Sequence, residues 1–146
     1  MTDYEIRRYP GGATIEDAHT VRRIVFIEEQ GVSEAEEMDG HDKQSIHVVA
    51  YEAKTGDPIG TARLRMPESD TGKVERVAVL EQYRDRGIGR GLMDAVEDEA
   101  HRQGCSRVTL HAQTAVEEFY HRLDYRIVSD EFEEAGIPHV KMEKDL

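Results

Sequence analysis

Arg84-Asp85-Arg86-Gly87-Ile88-Gly89-Arg90-Gly91 lies between a β-type run at 73–80 and a helical run at 91–103. Strand, glycine-rich loop and helix, in that order, make a layout suited to anions. Glycines at 87, 89 and 91 carry no Cβ to keep a phosphate off the backbone, and they admit the φ values that turn successive N–H groups inward. The helix adds the positive end of its dipole. The expectation is a diphosphate held mainly by the backbone amides of 84–91, including those of Asp85 and Ile88, with Arg84, Arg86 and Arg90 available for further phosphate charge. Two other phosphate loops fail on spacing. No Gly-Lys-Ser/Thr occurs anywhere in the chain, which removes a P-loop. A dinucleotide fingerprint needs G-x-G-x-x-G in the first βαβ unit, whereas this chain reads G-x-G-x-G and reads it late.

Working outward, 4–9 reads as a strand. Thr14 is the expected N-cap of a helix reaching Gln30, with Ile15, Ala18, Val21, Val25 and Phe26 at helical spacing. A polar, acidic loop spans 31–45. Two β-rich runs, 46–53 and 58–66, are joined through the turn signal Lys54-Thr55-Gly56-Asp57 and read as an antiparallel hairpin. Pro67 to Gly72 reads as a further turn. After the glycine loop comes a helix with Ile88, Leu92, Met93, Val96 and Ala100 on one apolar face, closed by Gly104 at its C-terminus. A strand at 107–111, a helix at 114–123 and strands at 125–129 and 139–143 complete the order β-α-β-β-β-α-β-α-β-β. The class is α/β.

The 84–91 segment resembles the Arg/Gln-x-x-Gly-x-Gly/Ala signature of the GNAT N-acetyltransferase superfamily, which holds the pyrophosphate of acetyl-coenzyme A. Three further segments match in order. Phe119-Tyr120-His121-Arg122-Leu123-Asp124-Tyr125 resembles the superfamily's F-Y-x-x-x-G-F/Y. Val25-Phe26-Ile27-Glu28-Glu29-Gln30-Gly31-Val32 with Glu37-Met38-Asp39-Gly40-His41-Asp42, and then Gly136-Ile137-Pro138-His139, are similar to the ElaA-like and YjcF-like branch. The resemblance spans nearly the whole chain. It implies one GNAT domain over 1–146, a mixed and splayed sheet flanked by helices, acetyl-CoA as cosubstrate, and transfer of the acetyl group to a primary amine of a small molecule or peptide. The reading from another class is a coenzyme A binding module that senses or partners without turnover.

Composition is consistent with one soluble enzyme domain. The 146 residues have room for one sizeable core and contain no apolar run near the roughly 18 needed to span a bilayer. No basic-then-apolar signal pattern opens the chain, so a cytoplasmic location is expected. Cys105 is the only cysteine, so no intrachain disulfide forms, and the residue reads as packing. Asp39, His41, Asp42 and His47 make a conceivable metal cluster, set against a solvated acidic loop; no metal is expected. With 31 acidic and 19 basic residues the formal net charge is −12, which repels nucleic acid. Oligomeric state is left open, a homodimer included.

Of the 19 basic residues 14 are arginine, and the acids are dispersed, which points to a halophilic source, with an acidic interaction surface as the alternative. At about 0.1 M salt the Debye length is roughly 10 Å, and at 1 M roughly 3 Å, so molar KCl screens the repulsion between surface carboxylates. The melting temperature is expected to rise between 0.1 and 2 M KCl. A flat or falling curve refutes the halophilic reading.

Acyl transfer to an amine asks for a base, a group that polarises the thioester oxygen and an acid for the departing thiolate. By resemblance, the backbone of Val77 and Val79 faces the pantetheine arm, and simple alternation puts Glu75, Val77 and Val79 on one face of the strand. Glu75 stands where some superfamily members carry a base; the alternative is a glutamate paired with Lys73 or Arg76. His111, at the next strand's end, is the rival base or a structural hydrogen-bonder. Tyr120 is the candidate acid, with a core aromatic as its alternative. Gln113 stands where relatives contact the cofactor, and Asp124 replaces the motif's glycine; Asp tolerates a left-handed backbone at modest cost, so the fold is expected to survive while the local loop geometry shifts. Glu28, Glu29, Glu34, Glu36, Glu37, Asp39 and Asp42 border the loop that faces the acceptor in relatives and would suit a cationic amine.

Overall fold

The computed structural model describes residues 3–146. Its strands are β1 (Tyr4–Tyr9), β2 (Ile46–Glu52), β3 (Pro58–Glu68), β4 (Thr71–Val79), β5 (Arg107–Gln113), β6 (Arg126–Ile127), β7 (Phe132–Glu134) and β8 (Ile137–Asp145). The helices are α1 (Glu16–Arg22), continued by π-helical turns at Arg23–Glu29, then α2 (Glu34–Glu37), α3 (Ile88–Arg102) and α4 (Glu117–His121). One open sheet of eight strands runs β1-β2-β3-β4-β5-β8-β6, with β7 also paired to β8. This is the mixed α/β sheet that the sequence predicts.

Among the described residues only β4 and β5 pair in parallel, and their pairing covers Thr71 to Val74 against Arg107 to Leu110. Beyond Leu110, β5 pairs only with β8, and β4 only with β3. The sheet therefore opens there, and Glu75–Val79 faces His111–Gln113 across a gap whose backbone groups need partners. Parallel pairing is the place where such a gap forms at low cost, because no hairpin ties the two strands together.

The layers follow from side-chain alternation. A Cβ on Gly60 would meet Leu92 Cδ1 at 3.0 Å and Ile88 Cγ2 at 3.3 Å, so the even positions of β3 face α3. Ile88, Leu92, Met93, Val96 and Ala100 are all at most 1% exposed against that face, matching the stripe read from the sequence. On the opposite face, Ile15 and Ala18 of the α1 segment pack against Val49 and Tyr51.

The register shifts at three places among β2, β3 and β4, and the one within β4 bears on the site. Thr61 pairs with Ala78 and Arg63 with Glu75, so three steps on β4 oppose two on β3. The extra residue is a β-bulge at Arg76, whose φ is 57°. Arg63 and Thr61 share a face, so Glu75 lies with Ala78, while Val79 lies with Gly60 toward α3. The expectation that Glu75, Val77 and Val79 share one face is thereby corrected: Glu75 points away from the two valines.

Smaller corrections concern local caps. Ile15, not Thr14, is the N-cap of α1, without a side-chain cap bond. The 31–45 segment is partly helical, because Ser33 Oγ accepts from the Glu36 N–H and caps α2. β3 runs to Glu68 and β4 begins at Thr71, so the 67–72 turn shrinks to two residues. Asp124, at the position of the motif's glycine, takes the left-handed backbone that Asp tolerates, with φ 72°, and Gly104 with φ 87° closes α3.

Candidate active site

The glycine loop enters α3 through two left-handed residues, Asp85 (φ 62°) and Gly87 (φ 82°), the latter being the helix N-cap. Alternation of left- and right-handed backbone turns neighbouring N–H groups to one side, and the first-turn amides of α3 have no intrahelical acceptor. These residues fit a diphosphate. The other two glycines have different duties from the one their spacing suggests. A Cβ on Gly89 would lie 3.1 Å from Phe119 Cζ, and one on Gly91 would lie 2.2 Å from the Tyr4 hydroxyl. Both are there to admit aromatic rings. Arg84 is committed as well: Nε donates to the Val79 carbonyl at 2.9 Å, and both terminal nitrogens donate to Glu29 at 2.7 Å. Arg86 sits with its guanidinium 5.5 Å from the Tyr83 ring centre, and Arg90 is exposed.

Four of the acidic residues expected to suit an amine, Glu29, Glu37, Asp39 and Asp42, are taken up by arginines, whereas Glu28, Glu34 and Glu36 are exposed. Arg63, fully buried, donates to Asp39 at 2.7 and 2.9 Å, to Asp42 at 3.1 Å and to Glu75 at 2.9 Å. Arg22, also buried, pairs with Glu37 and with Asp42 at 2.8 Å. From the bulge, Arg76 reaches the Glu36 and Glu37 carbonyls at 3.1 Å and Asp39 at 3.2 Å. Burial alone would raise the carboxyls of Asp39 and Asp42. Hydrogen bonds from Arg63 to the first, and from Arg22 and His19 to the second, overcome it and hold both well below the usual carboxylate range. In place of the imagined metal cluster there are arginines: Asp39 and Asp42 grip Arg63, and His47 Nε2 lies 3.0 Å from the Asp42 carbonyl. Glu29 is spent on Arg84.

Glu75 belongs to this network. Burial opposes its charge, yet the Arg65 hydrogen bond at 2.9 Å and the charges of Arg63 and Lys73 bring its carboxyl down to about 2. So acidic a carboxyl is a poor base near neutral pH. The structure thus turns Glu75 into an ion-paired brace, held by Lys73 but not by Arg76.

His111 is differently placed. It is the first β5 residue beyond the paired stretch, on the face opposite Leu110 and Ala112, and its ring Nδ1 lies 2.9 Å from Glu134 Oε1. Sequence reasoning missed Glu134, because a three-residue strand, β7, brings it there. Tyr120 lies on the other side, between Phe119 and Tyr125 with ring centres 5.0 and 5.9 Å away. Phe119 touches Gly89 and Tyr125 donates to Glu97 at 2.8 Å, so the aromatic group is anchored on α3. Burial alone raises the Tyr120 phenol, which stays neutral and able to donate. Gln113, expected at the cofactor, exchanges amide hydrogen bonds with Gln30 at 2.9 and 3.4 Å. Val77 and Val79 pack against the α3-side core beside the gap.

A helix start whose first-turn amides suit an anion, a gap between two parallel strands and a buried tyrosine packed toward the same helix thus lie in one part of the fold. The family model for the acetyltransferase (GNAT) domain matches residues 16–146. The uncharacterized N-acetyltransferase YjcF of Bacillus subtilis is 42% identical over 132 residues, covering 90% of this chain and 92% of that one. The crystal structure of a candidate N-acetyltransferase from Lactobacillus plantarum superposes with a TM-score of 0.89 at 31% identity, over 98% of both chains. Escherichia coli ElaA, also a crystal structure, gives 0.84 over 97% of this chain and 99% of that one; at 23% identity this speaks for the fold. The chain belongs to the GNAT acetyltransferase family, whose general reaction is acetyl transfer from acetyl-CoA. Among the described residues no helix is long and apolar enough to cross a membrane.

Proposed function

We propose that the chain, acting as one domain over 1–146, is an acetyl-CoA-dependent N-acetyltransferase that acetylates a primary amine of a small molecule or peptide by direct transfer. The observation that carries this reading is the gap between β4 and β5, with the α3 N-terminus at one end and with His111 and Tyr120 on its two faces. The backbone of 85–90 holds the diphosphate, with Arg90 supplying added charge, and the open edge of β4 around Val77 lines the pantetheine arm. His111 Nε2 takes one proton from the acceptor ammonium, freeing the nitrogen lone pair to attack the acetyl carbonyl carbon. As the carbon–sulfur bond breaks, Tyr120 gives its hydroxyl proton to the sulfur. The second nitrogen proton returns to the phenolate through solvent, and His111 releases its own to water.

Calorimetry and thiol release test it. Pantetheine lacks the diphosphate, and hydrogen bonds to charged groups contribute about 1.5–3 kcal/mol each. Coenzyme A should therefore bind roughly a hundredfold more tightly than pantetheine, with thiol released when a primary amine is supplied. Equal affinities defeat the phosphate-loop assignment. Tight binding without thiol release from any amine leaves a binding module.

A further inference from the structure

The turn between β7 and β8 is two residues long, Ala135 and Gly136, both left-handed with φ 53° and 74°. It folds Glu134 and Phe132 back over β5. The Glu134 carboxylate only accepts, so the 2.9 Å contact fixes the proton of His111 on Nδ1 and leaves the Nε2 lone pair unprotonated. Phe132 meets the His111 ring edge-on at 5.0 Å and 78°, and its other side stacks on His139 at 6.0 Å and 23°. His139 is held in turn, its Nδ1 donating to the Ile137 carbonyl at 2.7 Å while Nε2 lies 3.6 Å from the second Glu134 oxygen. The hairpin clamps one ring in one tautomer.

We propose that Glu134 is the positioning residue for His111, with Phe132 and His139 as its supports. The inference rests on the transferase reading above and assigns to this hairpin the aiming and charging of the base. When the ammonium N–H bond breaks and the proton moves to Nε2, the imidazolium carries a positive charge beside the Glu134 carboxylate, which stabilises it. Lys141, the cross-strand partner of His111, together with Lys73, oppose that charge, and Glu75 is already neutralised by its arginines. Glu134 is the carboxylate in contact with the ring and balances it. The hydrogen bond from His111 is also the main cause that lowers the Glu134 carboxyl.

Full-length Glu134→Ala and Glu134→Gln variants test this, with acetyl-CoA and a pooled set of primary amines as probes. Glu134 is 47% exposed, so both are expected to fold. In Glu134→Ala, kcat should fall about 10- to 100-fold through loss of orientation and charge while the KM for acetyl-CoA stays the same. Glu134→Gln keeps an acceptor oxygen but no charge and should recover part of the loss. Nitrogen-15 NMR of the imidazole should show Nδ1–H in the wild type and a shift toward Nε2–H in Glu134→Ala. Wild-type turnover matched by Glu134→Ala, or a wild-type His111 protonated on Nε2, overturns this inference alone. Acetyl-CoA binding without wild-type thiol release overturns the transferase reading and this inference with it.

Discussion

Arg63→Ala should lower the unfolding free energy by about 3–5 kcal/mol, the range for removing one partner of a buried ion pair. Asp39, Asp42 and Glu75 all converge on this one guanidinium, which is itself fully buried. Without it, three carboxylates are left in a poorly hydrated space with only their outer partners. For a chain of 146 residues the loss corresponds to a fall in melting temperature on the order of 10 °C. Acid titration gives an independent signature. All three carboxyls are depressed in the folded state, so their stabilisation is present above the unfolded carboxylate range and is lost as pH falls through the folded values. Wild-type stability should therefore decline from about pH 4 toward pH 2. In Arg63→Ala the folded values return toward the unfolded ones, and the same interval should flatten. A melting temperature within about 2 °C of wild type, with an unchanged acid slope, would show that the network does not hold the loop.

What the sequence exposed was local chemistry. The stripe on α3 and the Gly104 terminator depend on neighbours within a turn or two, and both stand as expected. The order of elements was legible for the same reason, because each strand and helix has its own hydrophobic period. β7 was hidden: three residues are too few to show a period, and Ala135-Gly136 is a weak two-residue hairpin signal beside Asn-Gly or Asp-Gly. The bulge in β4 was hidden too. Glu75-Arg76-Val77 reads as uninterrupted alternation, and only the partner strand reveals that one residue is extra.

At the site, the divide falls between backbone and side chain. The loop at 84–91 announced its geometry through glycine, although the structure gives conformational duty to Gly87 and steric duty to Gly89 and Gly91. Charge partners were illegible. Asp39 lies 24 residues from Arg63, and Glu29 lies 55 from Arg84, separations over which composition says only that acids are plentiful. The same blindness left Glu75 as a candidate base with His111 only as its rival. The difference between them is the company each keeps: three cations around the one, a single carboxylate beside the other.

Tyr120→Phe should slow turnover roughly 10- to 1,000-fold while leaving the affinity for acetyl-CoA and the melting temperature nearly unchanged. The variant removes one oxygen from a side chain that is only 7% exposed, and burial is the sole cause that shifts its phenol, with no hydrogen-bond partner contributing. Removing a hydroxyl that has no hydrogen-bond partner among the described residues leaves no orphaned donor or acceptor behind there, so the usual penalty of about 1–3 kcal/mol for a lost buried partner does not arise. The ring contacts with Phe119 and Tyr125 survive intact. Any loss of rate then belongs to the proton that the phenol supplies to the departing sulfur. The raised phenol keeps that proton throughout the neutral range, so the wild-type rate should not fall through Tyr120 ionisation below about pH 10, the ordinary tyrosine value. The decisive comparison uses an acceptor slow enough for chemistry to limit the rate. There, equal kcat for wild type and Tyr120→Phe would return Tyr120 to the hydrophobic core as a packing residue, and the acid would have to be sought in water.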